Sequence, residues 1–552
     1  MISFTKVGEI VQERLKRREV NLDVKRLASQ VNARAHPDPD SKPVVFFNAS
    51  TRLVGISLNS AFALLTAWAL RLQDVPVIQF VCHAGMSRCV LGTDRNDFSK
   101  PPPCQACMAQ SRWLYSNTQV IPFSYQEDAH LMNLLQNLPL DRLMEFVYQP
   151  PASFFKGSKN NPASPLPLGA LVLPSIRWVL RRHNLQDDAL TRLLYREYIL
   201  SANRVAHEFS TFIDRIDPQA VILFNGQFFP EATIRWESIQ RGIRTITHEV
   251  GLQPYSVFFT TGEATAYPLH MPDDFELSKA QDTRLDAYLS QRFQGQFSMA
   301  GVRFWSEMKG LEETFLQRAS RFKQIVPVFT NVIFDTSQPH SNVVFPQMFA
   351  WLDLVLEIIR SHPETLFVIR AHPDESRPGK TSQESVSQWI AQNLAASMSN
   401  LIFVDSDQSL SSYELIQRSK FVMIYNSTIG LEASIMGIAV LCAGRARFTQ
   451  LPTVFFPATP QEYRQQAEAF LAASEISIPP EFKRNARRFL YYQLFRSSLP
   501  LGEFLMEDGI WPGFVSLKKF HPLSLSPSSS PTIKTILNGI LENDDFLLDS
   551  DL

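Results

Sequence analysis

The chain has 552 residues, 45% of them apolar and 19% charged, enough to bury substantial cores and to divide into two or more domains. Lys and Arg number 53 against 54 Asp and Glu, so no basic excess is available to neutralise a polyanion, and nucleic acid is not an expected partner. Residues 1–20 never supply the uninterrupted apolar run of a secretory signal, and the most apolar helical stretch, 60–70, is far too short to cross a bilayer; the expectation is a cytoplasmic protein, with peripheral attachment to the inner membrane left open.

In chain order, an apolar run at 43–49 is followed by a helical pattern over 58–72 and a second apolar run at 75–81. Strand, helix, strand predicts a parallel pair joined by a crossover helix. Four of the five cysteines then fall close together as C-x6-C-x14-C-x2-C, with Pro101, Pro102 and Pro103 stiffening the approach to the last pair. Such clustering points to a local site instead of a disulfide framework. Cys82, Cys89, Cys104 and Cys107 can complete a closed tetrahedral zinc site, structural in character; the first spacing is wider than usual, so an iron–sulfur cluster and unligated or redox thiols stay open as alternatives. Residues 150–167, rich in Pro, Ser, Asn and Lys, predict an exposed loop. The strand and helix pattern returns at 220–226 and 232–240, and a further strand follows at 243–249.

From 275 to 322 the pattern is helical and polar, and a new series starts at 325–335. Helices are expected near 348–359, 384–394, 412–417 and 429–436, alternating with strands that begin near 365, 401, 421 and 439. Regular alternation of this kind predicts a doubly wound α/β domain with a mostly parallel sheet. The expected organisation is therefore a lobe over 1–275 with a Cys-rich insertion, a helical connector over 276–322, a second lobe over 323–500, and an extension over 501–552. The extension is expected to be partly disordered, since the tail after His521 lacks a packable pattern apart from one short helix near 533–541.

Ligands of open α/β sheets bind beyond the carboxyl ends of the strands, so the residues just after each apolar run are the ones that matter. In the second lobe these are polar: Arg370, His372, Pro373, Asp374 and Glu375; then Asn426, Ser427 and Thr428, opening a helix that carries Glu432; then Gly444, Arg445 and Arg447. A helix beginning at Ser427 and Thr428 offers unpaired amides and the positive end of its dipole to a nucleotide phosphate. Glu432, one turn further in, has oxygens that can accept from ribose hydroxyls, while Arg370 and His372 add donors or positive charge. Fixed donors of this kind stabilise a departing nucleotide, so no catalytic metal is required.

The segments RAHPDE and YNSTIGLEASIMGIAVLCAG, together with ARRFLYYQLFRSSLPL, resemble the C-terminal lobe of capsular polysaccharide biosynthesis glycosyltransferases, most clearly over about 330–501. The resemblance implies the GT-B architecture, two Rossmann-like lobes facing a cleft, with a nucleotide-sugar donor as substrate and a glycan acceptor; the family includes transferases that use CMP-activated Kdo. It implies that the His-Pro pair and the Ser/Thr helix start bind donor phosphate and that the Glu contacts ribose, roles that fall on His372, Ser427, Thr428 and Glu432. It also makes 1–275 the acceptor-side lobe and 323–500 the nucleotide-sugar-binding lobe. Many retaining GT-B enzymes carry a second Glu eight residues before the ribose Glu; Ile424 stands there in this chain, which leaves the stereochemical outcome open.

Deprotonation of an acceptor hydroxyl calls for a base at a strand end of the first lobe. Asn48 with Arg52, Asn225, and the pair His248 and Glu249 occupy such ends. Glu249, followed by Val250 and Gly251, is the expected catalytic base, with His248 second to it and Asp335 as a candidate from the other lobe. Against a glycosyltransferase for surface polysaccharide stand a nucleotide-sugar 2-epimerase, a glycerol-phosphate transferase of similar fold, and a binding protein that has kept the fold without chemistry.

Overall fold

A computed structural model describes residues 4–50, 54–150, 164–294, 310–377, 381–393, 395–511 and 513–549. The chain forms two compact units, one from residues 1–179, 185–267 and 495–552, the other from 180–184 and 268–494.

The first unit opens with α1 (Phe4–Asn32) and continues through β1 (Val44–Phe47), α2 (Leu58–Arg71), β2 (Val77–Cys82), α3 (Cys104–Leu114), β3 (Gln119–Phe123), α4 (Ala189–Ile216), β4 (Ala220–Phe224), α5 (Glu231–Gln240), β5 (Thr245–Val250) and β6 (Ser256–Thr260). The second contains α6 (Lys279–Phe293), β7 (Gln324–Phe329), α7 (Met348–Ser361), β8 (Thr365–Arg370), β9 (Leu401–Val404), β10 (Val422–Ile424), α8 (Ile429–Ile435), β11 (Val440–Cys442) and α9 (Pro480–Tyr491). The chain then returns to the first unit with β12 (Leu499–Pro500) and α10 (Pro531–Leu541).

Local chemistry explains the main elements. The four residues of β1, Val-Val-Phe-Phe, are buried throughout, as befits a central strand covered on both faces. Helix α2 starts where the Ser57 side chain accepts from the Ser60 amide at 3.2 Å, and it is buried continuously from Ser60 to Arg71. Both sheets are wound alike. In the first, the order is β3-β2-β1-β4-β5-β6-β12; β1 to β5 pair in parallel, with Val44 opposite Val77 and Ala220, and β6 and β12 add an antiparallel edge. In the second, β9-β8-β7-β10-β11 is parallel throughout. Each unit is thus a doubly wound α/β domain whose strand order reverses beside its first strand, at β1/β4 and at β7/β10, in keeping with the two Rossmann-like lobes expected of a GT-B-like chain.

Three expectations are corrected. The tail after His521, expected to lack a packable pattern, packs into the first unit over its described residues, and the extension before it does so too. Leu499, Leu501, Phe504, Leu505, Val515 and Leu517 enter the core of the first unit, as do Ile533, Ile536, Leu537 and Ile540 of α10, which packs on α2. The expected connector is not a body of its own, since its described parts belong to the second unit. The strand expected over 325–335 stops at Phe329, because Asn331 onward turns into a loop that lies across the sheet end. Most of the expected loop at 150–167 lies outside the described residues, as does Arg52. Among the described residues no helix is long and apolar enough to cross a membrane.

Candidate functional site

The reversal point of the second sheet lies between β7 and β10, and the two strand ends are tied there by side chains. Asn331 donates through Nδ2 to Asn426 Oδ1 at 2.6 Å, and Asn426 Nδ2 donates to Ser341 Oγ at 2.6 Å and Ser337 Oγ at 3.3 Å. Asp335 holds the same loop from below, accepting the Ser337 hydroxyl at 2.8 Å and its amide at 3.3 Å. The loop after β7 is therefore a fixed wall at the strand end, and Asp335 is spent on building it.

The end of β11 closes in from the other side. The Gly444 amide donates to the Tyr425 carbonyl at 2.7 Å and the Arg445 amide to the Ser341 carbonyl at 3.0 Å. A Cβ on Gly444 would lie 3.2 Å from the Ser341 carbonyl oxygen and from the Tyr425 ring, a tight approach that glycine makes without displacing either neighbour. Ser427 and Thr428 are half-buried where the chain enters α8, and Arg445 is exposed.

At the end of β8 the Arg370 carbonyl accepts from the Thr330 amide at 3.2 Å and hydroxyl at 3.0 Å, while its buried guanidinium donates to Ser412 and burial pulls it down to about 10. Its charge faces inward. His372 is half-buried and caps the short 3-10 turn Pro373–Glu375, its Nδ1 accepting the Asp374 amide at 3.1 Å. Glu375 closes that turn from inside; burial pushes its carboxyl up to about 8, and it accepts the Val386 amide at 3.2 Å.

Glu432 behaves otherwise than expected. Its Oε1 receives Nε and Nη2 of Arg292 at 2.6 and 2.5 Å, and its Oε2 receives the Tyr413 hydroxyl at 2.5 Å. The paired side chains are only 8% and 5% exposed, so the carboxylate anchors α6 to α8 and is closed to a ribose as it stands. Burial, with Glu432 beside it, holds the Tyr413 hydroxyl well above its ordinary range and keeps it a donor. Sequence reasoning missed Arg292, which lies far off in the chain and inside the supposed connector.

In the first unit, Asn48 follows β1 and Asn225 follows β4, again at the reversal point. Asn225 Oδ1 accepts the Gln227 and Phe228 amides at 2.9 and 3.1 Å and so shapes the turn. His248 is fully buried between the Phe224 and Phe259 rings, with Nε2 3.1 Å from Asn48 Oδ1, and burial lowers it to about 3. A neutral ring enclosed in this way has no route for a proton, which corrects its candidacy as a base. Glu249, its neighbour on the opposite face of the strand, is half-buried; its Oε1 accepts the Val250 amide at 2.9 Å and Asn59 Nδ2 at 3.4 Å.

Cys82, Cys89, Cys104 and Cys107 all line one cavity of about 30 Å³, and none of them forms a disulfide. As placed, no three His, Cys, Asp or Glu side chains among the described residues stand as a group ready to hold a metal ion.

The sequence model of the capsule polysaccharide biosynthesis protein family matches residues 302–453, which span the β7–β11 sheet and its strand ends. No curated protein matches the chain in sequence. Solved structures give distant likenesses. A Thermosulfurimonas dismutans KpsC beta Kdo 2,4 transferase aligns over 50% of this chain and 80% of its own at 9% identity and a TM-score of 0.33. The sucrose-phosphate synthase of Thermosynechococcus elongatus aligns over 82% and 95% at 11% identity and a TM-score of 0.28. The UDP-GlcNAc 2-epimerase of Neisseria meningitidis aligns over 81% and 94% at 11% identity and a TM-score of 0.22. Likeness of that degree transfers no activity. The family match is the stronger finding: residues 302–453 of the second unit are similar to the capsule polysaccharide biosynthesis protein family, the one that the His-Pro and Asn-Ser-Thr motifs resemble.

Proposed function

We propose that this chain is a glycosyltransferase that moves a sugar from a nucleotide-activated donor, CMP-linked, to a surface or capsular polysaccharide acceptor. The observation that carries this reading is the Asn331–Asn426 bridge at the reversal point of the second sheet, within the family-matched segment, with His372, Ser427, Thr428 and Gly444 on the same carboxyl edge. Open α/β sheets take their ligands at such a point. In this reading Ser427, Thr428 and His372 meet the donor phosphate, and Gly444 gives the backbone its approach. Arg370 serves through the strand end that it stabilises, since its guanidinium faces inward. Glu432 positions α6 against α8. Glu249, half-buried at the end of β5, is the base of the transfer step. The donor is a substrate, and its departure needs only the fixed donors of the strand ends.

The test joins binding to turnover. CMP should raise the melting temperature of the wild-type chain more than CDP, UDP or GDP, because a ligand of the folded state stabilises it by mass action. His372→Ala should weaken CMP binding by about one to two decades, the effect of losing one hydrogen bond to a charged group. A CMP-linked sugar should be consumed fast only with a glycan acceptor present. Interconversion of free nucleotide-sugars without acceptor would place the chain with the epimerases, and no preference among the nucleotides would overturn the CMP assignment.

A further inference from the structure

We propose that Cys82, Cys89, Cys104 and Cys107 bind one zinc ion, a structural centre that pins the β2–α3 crossover of the first unit. The four residues come from three pieces of backbone: Cys82 ends β2, Cys89 lies in the connecting stretch, and Cys104 and Cys107 sit in the first turn of α3. The remaining walls of their common cavity are Ala, Met, Leu, Gly and Pro, so little there offers itself to water.

The backbone around the sulfurs is built alike in two places. The Gly85 amide donates to Cys82 Sγ at 3.3 Å, and the Gly92 amide to Cys89 Sγ at 3.2 Å, so the same Cys-x-x-Gly turn occurs twice. Neither glycine is replaceable without displacement. A Cβ on Gly85 would lie 2.2 Å from the Phe123 ring, and one on Gly92 would lie 2.8 Å from Pro102 Cβ and 3.0 Å from Cys89 Sγ. Amides aimed at sulfur stabilise the negative charge of a metal-bound thiolate and orient it. Cys104 and Cys107, at the start of an 11-residue helix, gain the positive end of its dipole.

The crossover also needs an anchor. Residues 83–103 contain no helix or strand, a length at which a connection without another tether is uncommon. The thiols surround the cavity without meeting at one point. Loading therefore turns the four side chains inward until each sulfur lies about 2.3 Å from the ion, and the thiol protons leave. Four sulfurs and no oxygen or nitrogen ligand favour zinc, and a closed tetrahedron keeps no position open for a substrate. The centre is thus independent of the transfer reaction.

The full chain, produced with zinc supplied and kept reduced, should contain one zinc per molecule by elemental analysis. Cys89→Ser and Cys104→Ser should lose it, whereas Cys442→Ser, in the second unit, should keep it. Gly92→Ala should weaken retention against a chelator by about 10- to 100-fold. Cobalt exchanged into the wild-type protein should show sulfur-to-metal charge transfer and a tetrahedral visible spectrum, a reading that stands even if the cysteine variants fail to fold. Wild-type protein without stoichiometric metal would overturn the proposal. So would iron with acid-labile sulfide, a cobalt spectrum without charge transfer, or zinc that persists after Cys89 and Cys104 are both replaced.

Discussion

Glu432 shows how a single side chain can look like a ligand contact in sequence and act as a strut in space. Removing it in Glu432→Ala leaves the buried Arg292 charge without its carboxylate, which should destabilise the second unit by about 3–5 kcal/mol. Thermal or denaturant unfolding measures this. A normal melting curve with weakened nucleotide binding would return Glu432 to the donor site. Glu249 is the converse case, half-buried and accepting from its own chain and from Asn59. Glu249→Gln keeps the shape and removes the proton acceptor, so turnover should fall by about two to four decades with donor affinity nearly unchanged. Turnover retained in that variant would make the residue a structural anchor.

At the scale of the element, the 3-10 turn after β8 carries a pH response. Its Glu375 carboxyl is raised from 4.5 to about 8 by burial, so between those values the folded chain holds a proton that the unfolded chain has released. The contribution is fully present below pH about 4.5 and is lost as pH rises through about 8. Glu375→Gln, which keeps an acceptor for the Val386 amide, should flatten that part of the stability profile when melting temperature is followed across the window. Equal slopes for the two proteins would show that another group titrates there. The consequence for the site is direct, because the same turn is capped by His372.

For the whole molecule, the C-terminal stretch decides the stability of the first unit. Ile533, Ile536, Leu537 and Ile540 are almost fully buried in its core. Each contributes about 1.5–3 kcal/mol by burial, so together they approach the roughly 5–15 kcal/mol that holds a domain folded. Ending the chain at Leu525 should therefore unfold or aggregate the first unit. The second unit draws its residues from elsewhere and should keep its own melting transition, which calorimetry resolves. A truncated chain with both transitions unchanged would mean that α10 is only an appendage.

The alternation of apolar runs with helical patterns was enough to locate nearly every parallel strand, because the inner ones such as β1, β4 and β8 are short, buried on both faces and apolar, whereas β3, exposed over most of its length at the sheet edge, gives no such signal. Strand ends were legible from composition: the change from FVI to Arg370-Ala371-His372 and from VMIY to Asn426-Ser427 marks where the apolar run ends, although Arg370, Ala371 and Asn426 are themselves still buried. Those cues say nothing about what lies across the gap. That Arg292 closes on Glu432, that Asn331 reaches Asn426, and that His248 is sealed between two rings are pairings over long chain separations, chosen by packing and by the need to satisfy buried polar groups. The tail was misread because its apolar residues are scattered among Ser and Pro, and only the tertiary structure decides that such scattered residues meet one core.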